Sequence, residues 1–157
     1  MGDSHTYETE VVWIGERRGI LSSTGLPDIQ VAAPPEFKGH PGVWTPEHLF
    51  VSATASCFVT TFLAIAELSK LEFVGITTTA VGKLEKIEGQ GYLISEIVIR
   101  PTLTVKHAGD EERALRILEK AERNCLVSNS IKSVVRLESV VSTADVLTES
   151  SPQSVEA

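Results

Sequence analysis

The stretch that decides the fold covers residues 45–70 and reads TPEHLFVSATASCFVTTFLAIAELSK. Thr45 is a good N-cap and Pro46 suits the first helical position, while Glu47 places a negative charge near the positive end of the helix dipole. The sequence therefore predicts a helix from Pro46 to Lys70. Because its apolar residues leave no polar stripe, we expect a central, buried helix that other elements cover on most sides.

Runs rich in β-branched residues lie on both sides of this helix. The last two runs have similar lengths and are joined by Glu88-Gly89-Gln90-Gly91, which predicts a hairpin wrapped against the helix. We expect strands at Thr6–Ile14, Gly19–Ser23, Asp28–Ala33, Gly75–Glu88 and Tyr92–Lys106.

A second, amphipathic helix is predicted after Asp110, which is placed to cap it. Its apolar positions recur at helical spacing. A short helix over Ser128–Lys132 and a last strand over Val134–Val141 follow, and the Ser/Thr/Glu-rich residues 142–157 predict a flexible tail. We therefore expect one α+β domain over residues 1–141. The apolar positions of the second helix are Ala114, Ile117, Leu118 and Ala121.

The composition of the 157-residue chain is that of a soluble globular protein, with 42% hydrophobic and 22% charged residues. A net charge of −7 without a compact Lys/Arg stripe argues against nucleic-acid and anionic-membrane partners. The start of the chain lacks the features of a signal peptide, so we expect a cytoplasmic location. Polar residues interrupt the longest apolar stretch, so we expect no membrane span; they are Thr54, Ser56, Thr60, Thr61 and Glu67.

The chain has two cysteines, Cys57 inside the apolar helix and Cys125 just past the second helix. Cys57 lies beyond the reach of the helix dipole, and burial alone would raise the pKa of its thiol. A reactive thiolate is therefore expected to need a nearby cation, and Arg17-Arg18 before Gly19 is the candidate pair.

The helix face that carries Cys57 is apolar with small hydroxyls, which suits a non-ionic substrate. Its candidate substrate-binding residues are Phe50, Ala53, Thr54 and Thr61.

Plainer interpretations are open from the residues alone. Cys57 can be inert packing in an apolar helix, Cys125 can fill a helix–strand junction, and Arg17-Arg18 can be a solvated pair. His40 and His48 with the two cysteines could supply four metal ligands, but their spacing fits no metal motif, so no metal and no cofactor are predicted.

Two segments around the cysteines carry a family resemblance. Residues 44–53, WTPEHLFVSA, followed by Ala55-Ser56-Cys57-Phe58, resemble the first cysteine motif of the OsmC/Ohr superfamily of osmotically inducible and organic hydroperoxide resistance proteins. Residues 120–129, KAERNCLVSN, are similar to the family's second cysteine motif, although Leu126 stands where the family commonly has proline.

The resemblance implies an OsmC-like fold in which antiparallel β-sheets wrap around a central helix, in an intertwined homodimer. It also implies thiol-dependent reduction of organic hydroperoxides. Cys57 would attack the peroxide, Cys125 would form a disulfide with it, and a dithiol reductant of the lipoyl type would restore both thiols. Arg18, or Arg17 in its place, would stabilise the thiolate and Glu47 would hold the arginine.

Helix geometry limits that scheme, because Glu47 and Cys57 are about 15 Å apart on one continuous helix at 1.5 Å per residue. Either the arginine spans part of the gap, the helix is broken, or Glu47 acts on Cys57 of a partner chain. The alternative function is an OsmC-like dimer that binds a small hydrophobic or thiol ligand without a useful peroxidase rate.

Overall fold

The computed structural model describes residues 2–144. The chain divides into two compact units, with the boundary between Phe50 and Val51. The first unit is a three-stranded antiparallel sheet in the order β1-β2-β3. The prediction of a single domain over residues 1–141 stays a prediction. The strands are β1 Glu10–Gly15, β2 Arg18–Ser22 and β3 Ile29–Ala32.

The first strand starts later than the sequence indicated, at Glu10 rather than Thr6. A tight connection at Gly15 and Glu16, both with positive φ, links β1 to β2. A 3₁₀ turn at Pro35–Phe37 follows β3. Strand β1 presents large apolar side chains to solvent, of which Trp13 is 75% exposed.

Helix α1 runs unbroken from Pro46 to Leu68, two residues short of the predicted end. The Thr45 hydroxyl accepts a hydrogen bond from the His48 backbone N–H at 3.0 Å, which confirms the predicted N-cap. Lys70 takes a positive φ, and the Leu71 backbone N–H donates to the Ala66 carbonyl at 2.9 Å, which ends the helix.

The described chain buries one stripe of α1 rather than most of its surface. The buried residues recur every four positions, whereas Leu63 is 41% and Leu68 85% exposed on other sides. By length and composition alone α1 could cross a membrane, since an 18-residue window has a mean hydropathy of 1.9. A core helix of a soluble protein passes the same test. The stripe consists of Thr54, Phe58, Phe62 and Ala66.

The second unit is built on a long hairpin of β4, Phe73–Ile87, and β5, Gly91–Val105. The Gln90 backbone N–H donates to the Ile87 carbonyl at 3.0 Å across the predicted turn. Two short strands, β6 Val134–Leu137 and β7 Val140–Thr143, pair with β5 in parallel, so this sheet is mixed rather than wholly antiparallel.

The break between β6 and β7 corrects the prediction of one strand over Val134–Val141. Leu137 pairs with Ile99 and Val140 with Thr102, so the register continues and Ser139 falls opposite Pro101. Proline has no backbone N–H, and the ladder is interrupted at that point. Ser142 and Thr143 lie in β7 rather than in the predicted tail, and residues 145–157 lie outside the described part of the chain.

Helix α2 covers Glu111–Arg123, and its predicted apolar positions are buried. The Asp110 side chain does not cap it, contrary to expectation, but lies 3.4 Å from the Arg113 guanidinium. A 3₁₀ turn at Ser128–Ser130 replaces the predicted helix over Ser128–Lys132. The core of the second unit joins both helices to β5 through Phe58, Phe62, Ile97, Ile99, Leu103, Val105 and Leu118.

Candidate active site

The two cysteines converge in the second unit. Cys57 is half-buried on α1, and Cys125 is fully buried in the turn that follows α2. The Cys125 Sγ lies 3.9 Å from the Thr54 carbonyl oxygen, one helical turn before Cys57. Both cysteines are free thiols, and a hydrogen bond from the Cys125 thiol reaches the Cys57 sulfur. The fold therefore brings together two thiols that are far apart in sequence.

The environment of Cys57 favours its thiolate. Burial alone would raise the pKa of Cys57, but hydrogen bonds from the Val127 backbone N–H and the Cys125 thiol outweigh it. The Thr61 hydroxyl and the Leu126 backbone N–H add to this effect. The pKa of Cys57 is consequently lowered from its ordinary value.

The pKa of Cys125 is shifted in the opposite direction. Burial raises the pKa of Cys125, and the negative charge on Cys57 raises it further, while the Ser128 side chain and backbone partly oppose the change. Because one thiol is stabilised as an anion and the other as a neutral proton donor, the pair resembles a nucleophile with a resolving partner.

The predicted substrate-binding residues have different surroundings. Thr61 donates its hydroxyl to Cys57, Thr54 is fully buried with its carbonyl near Cys125, and Ala53 is exposed one turn before Cys57. Phe50 is half-buried and belongs to the first unit. Of these four, the second unit places Thr54 and Thr61 at the thiols.

The predicted activating residues lie in the first unit. Arg17 donates to the Phe37 carbonyl at 2.6 Å, which gives this arginine a local structural role. The Arg18 Nε lies 3.8 Å from a Glu16 carboxylate oxygen and makes no hydrogen bond, and Glu47 has a buried carboxylate oxygen that also makes none. The roles of Arg18 and Glu47 at Cys57 stay predictions.

The continuous α1 removes one of the three explanations for the distance between Glu47 and Cys57, since the helix is not broken. Sequence reasoning looked to a nearby cation for a reactive Cys57, and that expectation stays a prediction, whereas in the structure hydrogen bonds lower the pKa of Cys57. It missed the backbone N–H groups of Leu126 and Val127, which no side-chain motif reveals. The one available signal was Leu126 itself, a residue with an N–H where the family commonly has proline.

Within residues 2–144, no three His, Cys, Asp or Glu side chains are grouped so as to hold an ion. His40 instead lies 3.1 Å from Glu16, and the Thr45 hydroxyl lies 2.6 Å from the His48 ring.

The fold and the paired thiols define an α+β protein with a dithiol site, and comparison with known proteins identifies its family. Residues 39–140 match the family of OsmC-like proteins. The uncharacterized protein YmaD of Bacillus subtilis (strain 168) is 31% identical over 144 residues, which cover 88% of this chain and 93% of YmaD. The chain therefore belongs to the OsmC-like family, and the resemblance seen in the two cysteine motifs is confirmed.

Solved structures share the fold. An OsmC-like protein of unknown function from Vibrio cholerae superposes with a TM-score of 0.80 at 22% identity, covering 87% of this chain and all of that one (100%). An organic hydroperoxide resistance protein from Elizabethkingia anophelis gives a TM-score of 0.73 at 23% identity, with 91% and 99% covered. At these identities the likeness establishes the α+β architecture.

Proposed function

We propose that this protein is a thiol-dependent peroxidase that reduces organic hydroperoxides to alcohols, with Cys57 as nucleophile and Cys125 as resolving thiol. The observation that carries the proposal is the convergence of two free thiols, with the pKa of Cys57 lowered by hydrogen bonds and the pKa of Cys125 raised by burial. Family membership and a structural relative named as an organic hydroperoxide resistance protein support it.

The first step is attack of the Cys57 thiolate on the terminal oxygen of the hydroperoxide. A sulfur–oxygen bond forms, the oxygen–oxygen bond breaks, and the alkoxide leaves and takes up a proton to become the alcohol. Cys57 is then a sulfenic acid. The Cys125 thiol, whose hydrogen bond helps to lower the pKa of Cys57, carries out the next step.

In the second step Cys125 loses its proton and its sulfur attacks the sulfenic sulfur. A disulfide forms and the sulfenic hydroxyl leaves with the proton as water. A dithiol reductant, which we propose to be of the lipoyl type, then supplies two electrons by thiol–disulfide exchange and becomes a disulfide itself. Each cycle consumes one hydroperoxide and one dithiol and yields one alcohol and one water.

Arg18 and Glu47 complete the proposed site in a homodimer. Arg18 stabilises the thiolate further, and Glu47 holds the arginine at Cys57 of the partner chain, because about 15 Å of continuous helix separates it from its own Cys57. The buried Glu47 carboxylate oxygen, which makes no hydrogen bond, supports this assignment, since buried polar groups normally have partners. We propose a cytoplasmic location, as expected for a reduced dithiol.

The decisive experiment adds cumene hydroperoxide to the reduced protein and counts thiols. We expect one equivalent of peroxide to remove two thiols rapidly. Cys57→Ser should abolish peroxide consumption, and Cys125→Ser should complete a single turnover that stops at a sulfenic acid trapped by dimedone. Unchanged consumption by Cys57→Ser would reject the mechanism. An ionised Cys57 with no peroxide consumption in the wild type would instead favour a ligand-binding function.

A further inference from the structure

We propose that the turn after Cys125 positions the nucleophile, with the backbone N–H groups of Leu126 and Val127 forming a cradle for the Cys57 thiolate. This inference rests on the proposed function for its catalytic meaning, because it concerns the same thiol. The main chain of these two residues would then stabilise the Cys57 thiolate, a role that the sequence had given to an arginine alone.

The carbonyl groups of the turn are held on one side by hydrogen bonds. The Cys125 carbonyl accepts from the Asn129 backbone N–H at 3.0 Å, and the Leu126 carbonyl accepts from the Ser130 hydroxyl at 2.7 Å. The Val127 carbonyl accepts from the Ser130 backbone N–H, also at 3.0 Å. Three successive carbonyls therefore point toward residues 129 and 130.

Peptide geometry then fixes the direction of the Leu126 and Val127 N–H groups. In a planar trans peptide the N–H is antiparallel to the carbonyl of the preceding residue. Since the Cys125 and Leu126 carbonyls point toward residues 129 and 130, the N–H groups of Leu126 and Val127 point the other way. The turn lies against the helix that carries Cys57, since the Cys125 Sγ is 3.9 Å from the Thr54 carbonyl, and hydrogen bonds from both N–H groups lower the pKa of Cys57. Adjacent main-chain N–H groups that converge in this way make an anion-binding concavity.

The turn is anchored at both ends independently of Cys57. The Asn124 side chain donates to the Lys120 carbonyl at 2.8 Å, and the Asn129 side chain donates to the Arg123 carbonyl at 3.1 Å, which ties the turn to the end of α2. Donors held in place before ionisation stabilise an anion without reorganising. The pKa of Cys57 is therefore expected to be lowered even where no positive charge contacts the thiol.

The cradle makes a specific demand on residue type. The Leu126 side chain is 70% exposed, so its shape matters little, whereas its N–H is part of the site. Any residue except proline supplies that N–H. At Val127, too, any residue except proline supplies the N–H. The φ of Val127 is −67°, which a proline ring adopts without strain, so Val127→Pro removes the N–H without requiring a different φ.

The test removes the N–H groups one at a time. Val127→Pro and Leu126→Pro each remove one N–H donor. The controls Val127→Ala and Leu126→Ala shorten the same side chains but keep the N–H. The rate at which iodoacetamide alkylates Cys57 at pH 7 is measured on the full-length protein by peptide mass mapping, with thermal unfolding as a check on the fold. An ester in place of the Val127 backbone amide removes the donor without a ring.

We expect each proline variant, and the ester, to react roughly tenfold more slowly at pH 7, as loss of one hydrogen bond to a charge predicts, and the alanine variants to match the wild type. Folded proline and ester variants that react at the wild-type rate would overturn the cradle while leaving the peroxidase proposal intact. A cradle-dependent thiolate in a protein that consumes no peroxide would instead overturn the proposed function alone.

Discussion

At the scale of single residues, the thiol proton of Cys125 has two possible hydrogen-bond acceptors. The Cys125 S–H lies near the Thr54 carbonyl, at 3.9 Å, and also reaches the Cys57 sulfur. When Cys57 is neutral the carbonyl is a sufficient acceptor, and when Cys57 ionises the thiolate is the stronger one. We therefore expect this proton to move toward the Cys57 sulfur when Cys57 ionises.

The pH dependence of alkylation should separate the two thiols. The pKa of Cys57 is lowered in the folded protein, so its reaction with iodoacetamide should rise at a lower pH than in urea-denatured protein. The pKa of Cys125 is raised, so its reaction should begin at a higher pH than in denatured protein. Peptide mass mapping over a pH series measures both. Coincident folded and denatured profiles would contradict the assignment.

Thr61→Val should weaken the thiolate, because valine keeps the shape of threonine but cannot donate a hydrogen bond to Cys57. Alkylation of Cys57 at pH 7 should slow roughly two- to tenfold, as expected for one hydrogen bond. The matched control is Thr60→Val, since the Thr60 hydroxyl donates to helix carbonyls of Ser56 and Cys57 at 3.0 and 3.1 Å. Equal slowing in both variants would rule out a specific role for Thr61.

At the scale of elements, α1 and β4 approach each other closely at Gly82. A Cβ added to Gly82 would lie 2.4 Å from a methyl carbon of Val51. Valine is stiff in a helix and cannot easily turn this methyl aside. Val51 of α1 therefore packs directly against the β4–β5 hairpin. Only glycine at position 82 permits this close approach.

Gly82→Ala should therefore destabilise the protein by about 1–3 kcal/mol through overpacking. Gly75→Ala is the control in the same strand, because its added Cβ meets nothing within 4 Å. Urea unfolding measures both. The double variant Gly82→Ala/Val51→Ala should recover most of the lost stability, and an unchanged deficit would show that the clash is not with Val51.

At the scale of the whole molecule, both units present large apolar side chains to solvent. Trp13 is 75% exposed, Leu68 85% and Val134 61%. Apolar side chains of this kind are available for contact with another chain. This exposure agrees with the proposed homodimer, in which α1 would gain the cover that a single chain does not give it.

The homodimer should be visible as a mass of twice the chain in sedimentation velocity and as a thermal midpoint that rises with protein concentration. A monomeric mass with a concentration-independent midpoint would reject it. For the shared site, mixed heterodimers of Glu47→Gln and Cys57→Ser chains should recover activity at one of their two sites. Complete absence of complementation would exclude Glu47 acting on the partner's Cys57.

The sequence predicted the elements better than the site. The N-cap at Thr45 and the hairpin turn at residues 88–91 were recognisable because capping and turn chemistry are local. The parallel pairing of β6 and β7 was not, because strand partners are chosen by packing across the fold. Both cysteines stood out through their motifs, whereas a backbone N–H is common to nearly all residues, so only Leu126, in place of the family's usual proline, gave a signal for this part of the site.

The distance in sequence between the converging cysteines has a consequence for heat resistance. A bond between residues 57 and 125 would close a long loop and restrict the unfolded chain, which by the loop-entropy estimate adds about 4 kcal/mol to stability. Peroxide-treated protein should therefore melt well above the reduced protein, and Cys57→Ser should melt identically with and without peroxide. The melting temperature would then show whether a molecule has reacted with peroxide, because only the oxidised chain has a restricted unfolded state.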